Sequence, residues 1–152
     1  VSALFARLSR WPGGQWLFTR LVCWKAPYFG TISPRIRVLQ PGRCEGHFAD
    51  RRGVHNHIGT VHAIALCNMA ELVMGLLVDA STPPGMRWIP KGMQVEYLSK
   101  AQGQSHARAL LAQPLQVAAT GYTVQVPLEL FDPAGTLVCK ASISCWIPPR
   151  QR

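Results

Sequence analysis

Acidic residues are scarce in this chain. Seven Asp and Glu stand against sixteen Lys and Arg in 152 residues, for a formal net charge of +9. Charged residues of both signs make up only 15% of the sequence, while 48% is hydrophobic. A surface so lean in charge suggests that another subunit covers part of the apolar area. No basic block is present: the bases come singly or in pairs, as in Arg35/Arg37 and Arg51/Arg52. Nucleic-acid modules usually carry a clustered basic stripe, so nucleic acid is not expected as a partner. A small molecule carrying several phosphates suits the balance better. There is also no CxxC, and the five cysteines have no regular spacing. They read as reduced packing residues of a cytoplasmic protein, Cys67 in a helix and Cys139 and Cys145 in strand-like sequence. Arg7, Arg10 and Arg20 interrupt every apolar run near the start, so no signal peptide is expected. Repeats and low-complexity tracts are lacking, and the length suits one domain with a real core.

What the sequence does have is one long apolar run. From Val61 to Asp79 the clearly polar side chains are His62, Asn68, Glu71 and Asp79. A surface helix would show a polar stripe, so the run is a buried helix or a membrane span. It is barely long enough to cross a bilayer and carries a carboxylate and an amide that lipid would penalise. The expectation is a helix wrapped on most sides by the rest of the domain, with no stable membrane insertion. Asn56 to Thr60, with a glycine and two side chains able to cap, is the loop that leads into it.

Before the helix, Leu4, Phe5, Leu8 and Trp11 recur at helical spacing until Pro12-Gly13-Gly14. A second helical piece runs from Gln15 to Lys25 and is closed by Pro27. Three of the five tryptophans therefore lie in an N-terminal helical arm, taken as residues 1–30. An arm packed on the domain is the plain expectation; a membrane-surface helix and a lid over an apolar ligand pocket are the alternatives. Ile32 to Gln40 and Cys44 to Ala49 read as strands around a Pro41-Gly42 turn. After the helix and the breaker cluster Ser81 to Gly85, the alternating residues around Met93 to Tyr97, Ala107 to Leu111, Tyr122 to Leu130 and Leu137 to Ile147 read as four antiparallel strands. Asp132 to Gly135 closes a hairpin, and Pro127 implies an edge or a bulge. Residues 148–152 form a tail expected to fray. One long helix with two strands before it and four after it suggests an α+β architecture, a curved antiparallel sheet wrapped round the helix over residues 31–147: the hotdog fold.

Asn56-His57-Ile58-Gly59-Thr60-Val61-His62-Ala63, followed by Met69-Ala70-Glu71, resembles the helix-start signature of hotdog acyl-CoA thioesterases of the phenylacetate-pathway and thioesterase-superfamily-member type. That pattern is N-x-x-G-T-x-H-G-G with an acid fifteen residues after the Asn, the interval from Asn56 to Glu71. Tyr97 to Ala101 resembles the end of the following strand in those proteins. The resemblance implies a thioesterase acting on an acyl-CoA substrate, with no cofactor beyond the coenzyme A of that substrate. It implies Glu71 as nucleophile or general base, Asn56 positioning water or the carbonyl, and His62 orienting the thioester. The Ala63 N–H would polarise the thioester oxygen at the positive end of the helix dipole, with Gly59 and Thr60 lining the substrate site. Ala63-Ile64 replaces the usual Gly-Gly, which adds bulk where the thioester must approach.

Helix geometry adds an independent point. Eight residues of helix separate Ala63 from Glu71 by about 12 Å, whereas reacting atoms must come within about 3–3.5 Å. If both serve one site, they come from two chains, so a homodimer is required and a dimer of dimers is compatible. Lys91 and Lys100, with Arg87 and Arg108, flank the strands near the expected mouth and could meet coenzyme A phosphates or simply be a solvated rim. His55, His57 and His62 invite a metal reading, but no carboxylate or cysteine completes a ligand set, so no metal is expected. Two other functions compete: a non-catalytic acyl-CoA-binding module, which Ala63-Ile64 favours, and a hydroxyacyl-thioester dehydratase or hydratase using His57 and Glu71.

Overall fold

The structure, a computed structural model, describes residues 1–150; Gln151 and Arg152 lie outside that range. Two N-terminal helices, α1 (Ser2–Leu8) and α2 (Gly14–Lys25), precede a short 3-10 helix at Pro27–Ile32. Strands β1 (Arg35–Gln40) and β2 (Arg43–Phe48) form a hairpin, and the long helix α3 (Ala63–Ser81) follows. The chain ends in β3 (Ile89–Tyr97), β4 (Ser105–Leu110), β5 (Tyr122–Phe131) and β6 (Leu137–Ile147). All six strands make one antiparallel sheet in the order β1-β2-β4-β5-β6-β3, with β1 and β3 at its edges. A helix lying on the inner face of such a sheet is the hotdog fold anticipated from the element order.

Side-chain alternation sets the layers. Ile36, Cys44, Ala107, Ala109, Val126, Leu128, Leu130 and Ile143 face inward and are buried, as are Met69, Leu72, Val73, Met74 and Leu77 of α3. Each large apolar side chain among them contributes about 1.5–3 kcal/mol by leaving water. Gly46 on β2 marks the closest approach: a Cβ there would stand 2.7 Å from Met69 Cε and 2.6 Å from the Arg35 carbonyl oxygen. Cys23, Cys44, Cys139 and Cys145 are buried free thiols, and Cys67 is free as well. The arm joins the same core through Phe5 and Phe18, whose rings meet edge-on at 5.1 Å. α3 is apolar and long enough to cross a membrane, yet most of it is buried inside the domain.

Several expectations need correction. The first strand begins at Arg35, not Ile32: Pro27 opens the 3-10 helix, Ser33 turns with a left-handed φ of 50°, and Pro34 follows. α3 starts at Ala63 and ends at Ser81, because Val61 pairs with His55 as an isolated bridge. The helix is wrapped on most sides, as expected. Ile64, Glu71 and Asp79 are exposed, and Cys67 and Gly75 are half-buried against Tyr97 and Trp88, so one stripe is only partly covered. Pro127 lies in a strand that is internal by order, but pairing with β4 ends at Leu128, so Pro127 stands where that flank has no ladder. Pro148 to Arg150 are not frayed: the Pro148 carbonyl accepts from Arg87, Pro149 bridges Met86, and Arg150 donates to the Gly85 carbonyl.

Candidate functional site

The loop before α3 is built by Asn56. Its Oδ1 accepts the backbone N–H groups of Ile58 and Thr60, both at 3.1 Å, and its Nδ2 donates to Thr60 Oγ1 at 2.8 Å. Gly59 completes the turn at a φ of 80°, with open space where a Cβ would stand, so backbone conformation and not crowding favours glycine there. Thr60 is buried under the loop. Val61 then donates to the Ala101 carbonyl at 2.9 Å and His62 to the Val54 carbonyl at 2.8 Å. These bonds fix the direction in which the helix starts.

His62 is the N-cap of α3, with Nδ1 accepting the Ile64 N–H at 3.0 Å. That bond makes Nδ1 an acceptor, so a neutral ring carries its proton on Nε2. His62 thus takes the capping role, and the ring is exposed beside the helix start. The Ala63 N–H, first of the helix, meets no acceptor among the described residues. It is one of the orphan donors of a helix N-terminus, where the dipole favours negative charge.

A cleft of about 330 Å³ opens beside this start, lined by Tyr28, Thr31, Val54, His55, His62 and Asn68 among others. Asn68 lies in α3 one turn beyond Ile64. Its Nδ2 donates to Thr31 Oγ1 at 3.2 Å and to the Tyr28 carbonyl at 3.4 Å, while its buried Oδ1 has no partner. A larger hollow of about 580 Å³ lies on the outer face of the sheet over Gln94, Glu96, Arg108, Glu129 and Lys140. It holds ion pairs and has no helix N-terminus, whereas the smaller cleft lies beside one.

The structure also shows a contact that spacing did not reveal. His55 Nε2 bonds Asp50 Oδ1, and Asp50 Oδ2 accepts the Gly103 N–H at 2.7 Å. The imidazole first, then the Gly103 amide, hold the Asp50 carboxyl below the usual carboxylate range. Asp50 and Gly103 sit in loops fifty-three positions apart, so no periodicity or motif could pair them.

The remaining site residues fall as follows. Glu71 is exposed on the outer stripe of α3, eight positions past Ala63, so one chain does not bring the two together. Cys67, on the same stripe, meets the Tyr97 hydroxyl at 3.2 Å and ties β3 to the helix. That bond, and then burial, push the Tyr97 phenol up to about 12. Lys100 is exposed next to Ala101, and so beside the helix-start loop. Lys91 lies six strand residues before Tyr97, about 20 Å along β3, toward the other end of α3. Arg87 lines a hollow with Asp79 and Trp88 at that far end, and Arg108 pairs with Glu129 at 2.6 Å on the outer face. The single chain therefore does not gather the four cations at one mouth. No group of three metal-capable side chains exists among the described residues.

Residues 14–147 match a family described as a domain of unknown function, DUF4442. A structural-genomics protein whose name states no function is 42% identical, with 98% of each chain covered and a TM-score of 0.85. A Pseudomonas aeruginosa protein named a probable thioesterase is 23% identical over 86% of this chain and 92% of its own, at a TM-score of 0.74. A Ralstonia eutropha protein named a putative thioesterase and a phenylacetic acid degradation-related protein is 25% identical, over 79% of this chain and 89% of its own, at a TM-score of 0.66. No curated protein gives a significant match.

Proposed function

The chain belongs to the DUF4442 family, and from that premise, its hotdog fold and the geometry of its helix start we propose that it is a thioester hydrolase acting on an acyl-CoA, with each site shared between two copies. The observation that carries this reading is the placement of Glu71. It is solvent-exposed on the outer stripe of α3, which Tyr97 and Trp88 cover only at Cys67 and Gly75, about 12 Å along the axis from the unpaired Ala63 N–H. An acid and an oxyanion donor on this mostly apolar helix serve the same carbonyl when two α3 helices lie antiparallel. The neighbouring strand supports the pairing. β3 is an edge strand with Ile89, Met93 and Tyr97 all exposed, an invitation for the β3 of a second copy to extend the sheet.

In such a site the thioester oxygen sits on the Ala63 N–H at the positive helix end, which stabilises the charge that grows as the carbonyl is attacked. Glu71 of the second copy takes a proton from water as the water oxygen bonds the carbonyl carbon; the oxyanion then re-forms the carbonyl as the C–S bond breaks, and Glu71 gives the proton to the departing thiolate. Lys100 stands beside the loop of one copy, and antiparallel pairing carries Lys91 of the other toward it, giving the phosphates of coenzyme A two cations. The cleft beside Asn68 offers room next to the reacting carbonyl. The likeness to the Ralstonia protein points the same way. The cytoplasm, where acyl-CoA is held, suits the buried free thiols.

A thiol-release assay over short, medium, long and aromatic acyl-CoAs tests the reading. Turnover of at least one, lost in Glu71→Gln, is the expected result; unchanged turnover in Glu71→Gln removes this carboxylate from the chemistry. One observation favours a second reading, a non-catalytic acyl-CoA binder: both hydrogen bonds accepted by Asn56 Oδ1 stay inside its own loop, and Ala63 narrows the approach. Tight acyl-CoA binding with no thiol release in hours would establish it. The hydratase reading is weaker, since His57 is exposed at the loop tip.

A further inference from the structure

The N-terminal arm is used by neither the fold nor the proposed site in full. α2 turns Phe18, Thr19 and Cys23 inward against the domain. Its other face is Trp16, Leu17, Arg20, Leu21, Trp24 and Lys25, all exposed. Trp24 is 84% exposed and Trp11, between the two helices, 72%. Leu17, Leu21 and Trp24 follow each other at helical spacing within α2, so they form an apolar ridge on its exposed face. Arg20 and Lys25 share the exposed face of α2, Arg7 and Arg10 are exposed on the neighbouring first helix and just after it, and no Asp or Glu occurs anywhere before Glu45. The arm packs on β1, the edge of the sheet opposite β3.

We propose that the outward face of this arm docks on an anionic lipid surface, α2 lying in the plane of the headgroups with its leucines and tryptophans at the acyl boundary and its arginines and lysine on the phosphates. Charge selects this occupant. A two-fold contact between two copies sets the same patch against itself, and a patch holding cations and no acid repels its own image. Nucleic acid would satisfy the cations but offers no apolar medium for Leu17 and Leu21. A bilayer interface supplies both, the acyl region for the ridge and phosphate for the bases. At twelve residues α2 is about 18 Å long, suited to lie on a membrane and far too short to span one. This inference does not depend on the hydrolytic reading.

The test uses the full chain with extruded vesicles of phosphatidylcholine alone and of equal parts phosphatidylcholine and phosphatidylglycerol. Co-sedimentation with the mixed vesicles, a blue shift of tryptophan emission on binding, and release by salt are the expected results. Arg20→Gln/Lys25→Gln lowers partitioning on the order of tenfold or more. Leu21→Glu/Trp24→Glu abolishes it with an unchanged circular dichroism spectrum, since both side chains are already in water. The proposal is overturned by absence of binding, by undiminished binding of the Leu21/Trp24 variant, or by equal affinity for duplex DNA at the same salt. It also falls if the Leu21/Trp24 variant has a smaller oligomer size than the parent, which would make a second copy the occupant.

Discussion

A complementation experiment tests the shared site most directly. Ala63 is the first residue of α3, the one helix position where proline is welcome, because its N–H has no intrahelical partner. The preceding His62 has φ −66° and ψ 136°, the extended conformation that a residue before proline prefers. Ala63→Pro therefore deletes the proposed oxyanion donor and keeps the helix. Loss of one such donor lowers kcat about 10²–10³-fold. Glu71→Gln removes the base and keeps shape, for a loss of about 10²–10⁴-fold. Each variant alone is nearly inactive. Mixed in equal amounts under conditions that allow subunit exchange, they form heterodimers as about half of all dimers, each with one site that takes an intact amide from one chain and an intact acid from the other. The other site of each heterodimer carries both defects. Thiol release per subunit should then recover to about one quarter of the parent value. Recovery to no more than the two residual rates would show that Ala63 and Glu71 do not meet across an interface, and the proposed geometry would fail with it.

Other consequences follow from the packing and the loops. Phe18→Ala should destabilise the chain by about 3–5 kcal/mol in urea unfolding, because Phe18 is buried in the common core against Phe5; a change near zero would mean that the arm is not part of the cooperative unit. Gly59→Ala should cost about 1 kcal/mol from its left-handed backbone alone, since no atom lies within reach of the added Cβ, and a loss of several kcal/mol would contradict that open space. The folded Asp50 carboxyl is held below its ordinary value of 3.8. Its contribution to stability is therefore fully present above that value and disappears as pH falls through the lower folded one. Asp50→Asn should lose this acid limb in unfolding curves measured from neutral pH downward, and an unaltered limb would refute the His55 pairing as its cause.

Much of the fold was legible because its layers follow simple periods. An uninterrupted apolar run fixed α3, alternation fixed the four later strands, and Pro12-Gly13-Gly14 separated the two arm helices. Periodicity failed where backbone conformation overruled it: Ile32 has the side chain of a strand residue, but Pro27 and Pro34 confine it to a 3-10 turn. It failed again on the open side of α3. Ile64, Cys67 and Gly75 are as apolar or small as their buried neighbours, so only the charges of Glu71 and Asp79 mark the stripe that the sheet leaves bare. Within one chain Lys91 and Lys100 lie far apart, since a strand rising about 3.3 Å per residue carries the two ends of β3 to opposite ends of the helix, and only a second copy could bring them to one mouth.

The helix-start motif illustrates why pattern and chemistry separate. Asn56 folds the loop, Gly59 supplies the left-handed turn, Thr60 is buried beneath it, and His62 caps the helix. Each has a structural role that would hold its residue type in place with or without a substrate. A match to such a motif thus speaks for the helix entrance before it speaks for hydrolysis. Two groups have no such local role. They are the Ala63 amide, which the helix cannot satisfy, and the Glu71 carboxylate, which has no partner in its own chain among the described residues. A carboxylate without a partner on a mostly apolar stripe next to an unpaired strand edge destabilises any interface that buries it. Its presence there is explained if the buried surroundings include water to activate and a thioester to attack, and so the proposed hydrolysis rests on these two groups and not on the four residues that make the motif recognisable.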